Sequence, residues 1–162
     1  MLAITTRYPG NFAASFGNNN KSLANGTFTA GITTTAEEEG AVATGGGTYA
    51  KKDYSNAQNY GTQALGRFSD AAGFHTIATN NAESVVGKFN QTKEGTLFQV
   101  GNGDDNDHRS NALEVYRDGH AEIQRVIDNE LSVVNKGYVD NIKTELQNYV
   151  DIQLGVIENG SY

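Results

Sequence analysis

Small residues return at every seventh position through the first half of the chain. Counting from position 36, the series reads Ala36, Ala43, Ala50, Ala57, Ala64, Ala71, Ala78 and then Val85. Two places after it stand Glu38, Gly45, Lys52, Asn59, Gly66, Gly73, Asn80 and Gly87. Two places before it stand Thr34, Ala41, Thr48, Ser55, Thr62, Ser69, Thr76 and Glu83. The unit is therefore [Ser/Thr]-x-Ala-x-[Gly/Asn]-x-x. Fainter copies run back through Thr27–Gly31 to Ala13–Gly17.

A period of seven first suggests a coiled coil. Glycine, however, costs about 1 kcal/mol per helical position relative to alanine. This stretch carries glycine in most heptads, including the run Gly45-Gly46-Gly47. Within a unit the small residues fall at i, i+2 and i+4, which is strand alternation. Each unit then predicts a five-residue strand and a two-residue corner, with corners at Asp53-Tyr54, Tyr60-Gly61, Arg67-Phe68, Phe74-His75 and Asn81-Ala82. Two units make one turn of a flattened coil, so residues 14 apart should stack in parallel ladders about 4.8 Å apart. Ala57, Ala71 and Val85 form one expected ladder, and Ala50, Ala64 and Ala78 the facing one. Alanine suits both because a larger side chain would force the two walls apart.

The pattern changes after residue 87. Residues 88–134 read as a different kind of β structure, a connector or cap. Leu97-Phe98-Gln99-Val100 is a short apolar strand. Leu113–Arg117, Asp118-Gly119 and His120–Ile123 read as a hairpin with a two-residue turn. Asp128-Asn129 marks a further turn before Leu131–Val134. From Asn135, a candidate N-cap, residues 135–162 read as a helix. Val139, Ile142, Leu146, Tyr149, Gln153 and Val156 alternate three and four apart, as a coiled-coil seam does. Gly155 and Asn159-Gly160 are expected to loosen its end. A helix this long with so narrow a stripe is marginal alone, so identical neighbours are expected.

Composition sharpens the picture. In 162 residues there are 19 glycines, one proline, one methionine and no tryptophan, and much of the 37% apolar fraction is alanine. A chain so poor in large apolar side chains finds its burial in stacked repeats or in a partner. The net charge of −7 argues against a nucleic-acid partner, which needs clustered Lys and Arg. The chain has no cysteine, which excludes disulfides and thiolate zinc sites. No apolar run approaches the length of a membrane span, and Met1–Arg7 lacks the order of a secretory leader.

The [Ser/Thr]-x-Ala-x-Gly heptads resemble the left-handed parallel β-roll heads of trimeric autotransporter adhesins, repeats also found in bacteriophage tail-fibre and appendage proteins. Gly87-Lys88-Phe89-Asn90, Leu97–Gly103, Arg109–Leu113 and Asp118-Gly119 resemble the cap that follows such rolls in phage structural proteins. Val134–Asp140 resembles the entry to a trimeric coiled coil of a phage fibre. The resemblance covers roughly residues 13–150. It implies a mostly β chain with a left-handed β-roll (1–87), a connector (88–134) and a coiled-coil helix (135–162), intertwined as an elongated parallel homotrimer. Adhesins of the autotransporter class carry a secretion leader and a C-terminal membrane anchor. Neither is read here, which moves the expectation towards a virion fibre.

Candidate chemistry is sparse. His75, His108 and His120 are the three histidines, and no motif supplies a nucleophile or paired carboxylates beside them. Ordinary surface or corner histidines are the simpler reading than metal ligands on a trimer axis. The Asp104–Asp107 cluster lacks the glycine and distal glutamate of an EF-hand loop, so it reads as a solvated loop. Gly101-Asn102-Gly103 lacks the third glycine of a dinucleotide site. No catalytic residue, cofactor or resident metal is expected. Tyr54 and Phe68 are 14 apart, as are Tyr60 and Phe74, so each pair should stack on one edge. Two readings stand open for them, packing between protomers and stacking on a host glycan.

The expected role is that of a structural, non-enzymatic virion protein. It is read as a bacteriophage tail, baseplate or head fibre supporting host attachment, with other virion proteins as partners. The alternative is a fragment of a bacterial trimeric adhesin at the cell surface. A glycan-processing enzyme ranks third.

Overall fold

The computed structural model describes residues 11–124 and 136–158. They fall into two units, one ending at Ile123 and one containing the helix. The first unit opens with β1 (Ala14–Asn18), β2 (Lys21–Ser22), β3 (Phe28–Ile32) and β4 (Thr35–Ala36). It continues through β5 (Val42–Gly46), β6 (Tyr49–Ala50), β7 (Asn56–Tyr60) and β8 (Gln63–Ala64). β9 (Asp70–Phe74), β10 (Ile77–Ala78) and β11 (Ser84–Lys88) complete a β-solenoid of about six turns. The odd-numbered strands form one parallel sheet and the even-numbered strands a second. The register is 14 throughout: Ala43 pairs with Ala57 and Ala57 with Ala71, while Ala50 pairs with Ala64.

The two walls of a turn are unequal, contrary to the expectation of five-residue strands in every heptad. The long wall keeps five residues, and the short wall only two. The cause is a tight turn after each short strand. Ser55 and Ser69 each donate backbone N–H and side-chain Oγ to the carbonyl three residues back, at Lys52 and Gly66. Thr27 does the same to Ala24. That turn consumes residues which would otherwise extend the strand.

The corner residues stand as expected at Asp53-Tyr54, Arg67-Phe68 and Asn81-Ala82, whereas Tyr60 and Phe74 are the last residues of their strands. The second residue of each pair has a left-handed φ, between 53° and 63°, from Tyr54 to Ala82. On the long wall, the column of Gly31, Gly45 and Gly73 has a different reason for glycine. A Cβ at Gly45 would lie 1.9 Å from the carbonyl oxygen of Asn59, one turn on.

Between the walls lies a thin interior. Ala36, Ala43, Ala50, Ala57, Ala64, Ala71, Ala78 and Val85 are fully buried, with Ala41 beside them. An alanine methyl contributes only about 0.8 kcal/mol on burial, so the ladder hydrogen bonds carry much of the cohesion. Towards the N-terminus the same columns turn polar. Thr29 Oγ1 donates to Ser15 Oγ at 2.9 Å and lies 3.0 Å from Ser22 Oγ.

The connector begins inside the solenoid sheet, one strand further than the heptads of small residues run. β12 (Thr96–Asn102) pairs in parallel with β11 at the same 14-residue register, Val85 opposite Gln99. Only then does the chain reverse, through β13 (Asn111–Tyr116) and β14 (Ala121–Ile123), both antiparallel. Buried polar groups close this end. Glu83 accepts from the N–H groups of Thr79 and Asn80 and from Thr96 Oγ1. The hairpin turn is one residue longer than expected. Tyr116 N–H donates to His120 O, leaving three residues with Gly119 at φ 92°, as three-residue hairpins require.

The second unit contains α1 (Lys136–Glu158). The helix runs through Gly155 rather than loosening there. The expected N-cap Asn135, the turn at Asp128-Asn129 and the strand Leu131–Val134 lie outside the described residues.

Candidate functional site

Two corner edges of the solenoid carry stacked aromatic side chains, and the 14-residue register dictates what they meet. On the edge that follows the long strands, Tyr60 and Phe74 stack with centroids 5.6 Å apart and planes 14° apart. His75 packs edge-on against Phe74 at 4.6 Å and lies parallel to Phe89 at 5.1 Å. Arg109 closes this cluster. Its Nη1 donates to the carbonyls of His75 and Asn90, and its guanidinium sits 5.7 Å from the Phe89 ring centre.

On the opposite edge, Tyr54 and Phe68 stack at 5.7 Å with planes only 4° apart. Their surroundings are charged, a feature the heptad reading passed over. Tyr54 Oη donates to Glu39 Oε1 at 2.9 Å, and this bond raises the phenol's pKa. Arg67 pairs with Asp53 at 3.0 Å and covers the Phe68 ring at 5.4 Å. Both expected pairs therefore stack, each on its own edge, and all four rings are exposed.

The same corner column contains a gap that the sequence reading missed. Residues 12, 26, 40, 54, 68 and 82 follow one another at the 14-residue interval. They are Phe12, Gly26, Gly40, Tyr54, Phe68 and Ala82, all with φ between 54° and 66°. Rings occupy three positions and glycines two. Beside the glycines lies a cleft of about 350 Å³.

The histidines do not converge. His75 belongs to the aromatic cluster. His108 Nδ1 lies 2.9 Å from Asp105 Oδ1 in the acidic loop. His120 Nδ1 lies 2.5 Å from Asp118 Oδ1, and its ring stacks on Tyr116 at 4.2 Å. In the loop, Asp105 Oδ1 also accepts from the N–H groups of Asp107 and His108, which with the His108 ring lowers its pKa. Asp104 pairs with Lys88 at 3.5 Å. These carboxylates hold their own turn. Among the described residues, no three His, Asp or Glu side chains gather as metal ligands.

On α1, the seam residues Val139, Ile142, Leu146 and Tyr149 are all exposed. Val150 and Ile152 widen the apolar stripe beyond the expected seam. No described helix is long and apolar enough to cross a membrane. No protein-family model matches the chain, and no curated protein sequence is significantly similar to it.

Proposed function

We propose that this chain is one protomer of a homotrimeric fibre or appendage segment of a bacteriophage, structural in role and supporting attachment to a host surface. The observation that carries the reading is the seam of α1, whose residues Val139, Ile142, Leu146 and Tyr149 are 47–62% exposed. Water is a costly neighbour for that stripe, and a helix of this length is marginal alone. Two further parallel copies would cover it, and isoleucine and valine on the seam fit a three-stranded coil. The thin alanine interior points the same way, because it leaves the solenoid with little apolar burial of its own.

The heptads' resemblance to phage appendage repeats supports a place on the virion. There the partners are two copies of this chain, other virion proteins and a host receptor. The solenoid's exposed rings fit recognition, since three copies multiply a weak contact.

Sedimentation equilibrium on the folded full chain tests the assembly. A trimer is expected, and a stable monomer at concentrations where the chain is folded would sink the reading. Immunogold labelling of the parent particle tests the location.

A further inference from the structure

The gap in the corner column has the dimensions and chemistry of a ligand site. Successive turns are about 4.8 Å apart, so Phe12 and Gly40 stand roughly 10 Å apart along the stack. The Tyr54 ring leans back across Gly40, where a Cβ would fall 2.5 Å from its Cδ1. Above Gly26, by contrast, the nearest atoms to such a Cβ are 3.9 Å away. The open space therefore lies over Gly26, with Tyr54 on one side and the 97% exposed Phe12 on the other. A flat ring sandwiched between two aromatic faces needs about 7–8 Å at van der Waals separations. One ring fits.

The walls specify what kind of ring. Asn25 uses Oδ1 to accept from the Asn11 N–H at 2.8 Å, which leaves its amide NH2 as a donor. Glu39 receives Tyr54 Oη on Oε1, which leaves Oε2 as an acceptor. Among the described residues the cleft has no Lys or Arg in its lining, so an anionic ligand would meet the Glu39 carboxylate there. The same carboxylate disfavours a nucleotide. Apolar faces above and below, with a donor and an acceptor at the rim, match a pyranose. Its C–H faces stack on aromatic rings, and its hydroxyls both give and take hydrogen bonds.

We propose that the cleft between Phe12 and Tyr54, floored by Gly26, binds one neutral pyranose ring of a glycan. The inference rests on the attachment reading and names its ligand class; the site lies within a single chain, so the sedimentation test of the trimer stands or falls apart from it.

Saturation-transfer NMR on the full chain tests it. The probes are neutral glucose, galactose, mannose and N-acetylglucosamine oligosaccharides, with free N-acetylneuraminic acid as the anionic control. At about 10 mM, affinities in the millimolar range are visible. Neutral probes are expected to bind and free N-acetylneuraminic acid to be rejected. Phe12→Ser and Tyr54→Ser should each weaken binding about tenfold. Gly26→Tyr should abolish it, because Tyr54 and Phe68 already occupy this backbone conformation and a ring at 26 would fill the gap.

Phe12→Ser, at an exposed position, keeps the test decisive if Gly26→Tyr does not fold. The proposal is overturned if no neutral probe binds, if free N-acetylneuraminic acid binds as well, or if binding survives Phe12→Ser and Tyr54→Ser unchanged. It is equally overturned if those variants change only the sedimentation behaviour, which would assign the cleft to contact between copies.

Discussion

The ring of Tyr54 lies across the α-carbon of Gly40, the residue one turn before it in the same corner column. A Cβ at position 40 would fall 2.5 and 2.6 Å from Tyr54 Cδ1 and Cε1. The small residue and the ring are one unit of packing, separated by 14 positions in sequence. His75 over Gly61 repeats it, with a Cβ at 61 meeting the imidazole at 2.6 Å.

Gly40→Ala should therefore cost more than Gly26→Ala. Both positions share a left-handed φ, which costs a non-glycine residue about 1–2 kcal/mol, but only position 40 must also expel a ring. Thermal unfolding of the two variants checks the order. Equal losses would show that the ring moves aside freely.

The interior should reject charge at Ala64 and Ala71. Each is fully buried in a column of alanines, so Ala→Glu adds volume and buries a carboxylate with no partner, at a cost of several kcal/mol. Insoluble or unassembled protein is expected. Gln63→Glu, on the outward side of the same short strand, should stay within about 0.5 kcal/mol. Solubility and circular dichroism compare them, and equal tolerance would contradict the register.

Leu146→Asp should melt the helix and spare the solenoid, whose ladders do not pass through α1. Loss of helical circular dichroism with unchanged amide protection in β3–β11 is the expected pair of results. If protection also falls there, the two units are not independent.

Tyr60 and Phe74 should be energetically coupled. Stacked aromatic pairs contribute about 0.5–1.5 kcal/mol beyond their buried area. A double-mutant cycle of Tyr60→Ser and Phe74→Ser should return a value in that range, at its lower end because both rings are exposed. Additive losses would show that the rings lie together without holding the turns together.

The hairpin should weaken at high pH. Desolvation first, then the charges of Glu114 and Glu122, pushes the Tyr116 phenol up from 10.0 to about 12. The folded chain thus holds this proton where the unfolded chain has lost it. The stabilisation is complete below about 10 and declines as pH rises towards about 12. Absorbance titration of the phenols follows it. Glu114→Gln should lower the midpoint only in part, because desolvation remains.

The repeat was legible because every turn reports the same constraint. Ala57 and Ala71 differ in neighbours but not in the space available to them, so register and interior followed from spacing alone. What the heptad concealed was the inequality of the two walls. The hydroxyls of Ser55 and Ser69 look like further small residues in the pattern, yet each closes a turn and shortens the short strand. The edges were half legible. The pairs Tyr54/Phe68 and Tyr60/Phe74 follow from counting by 14. The gap over Gly26 could have been found by the same count, as two glycines where rings stand elsewhere. The charged partners Glu39, Asp53 and Arg67 could not, because they vary from turn to turn. The pairing of β12 with β11 was not legible, because Gln99 breaks the run of small residues while keeping its place in the ladder.

The 14-residue register makes the solenoid a ruler with a fixed tick. Removing residues 43–56 would bring Val42 against Ala57 with every later side chain on its original wall, and would shorten the stack by about 4.8 Å. Removing seven would exchange the long wall for the short one and set β-strand residues where the chain must turn. Length in such a molecule changes only in whole steps, and a gene that gains or loses one step in frame resizes the solenoid without redesigning it.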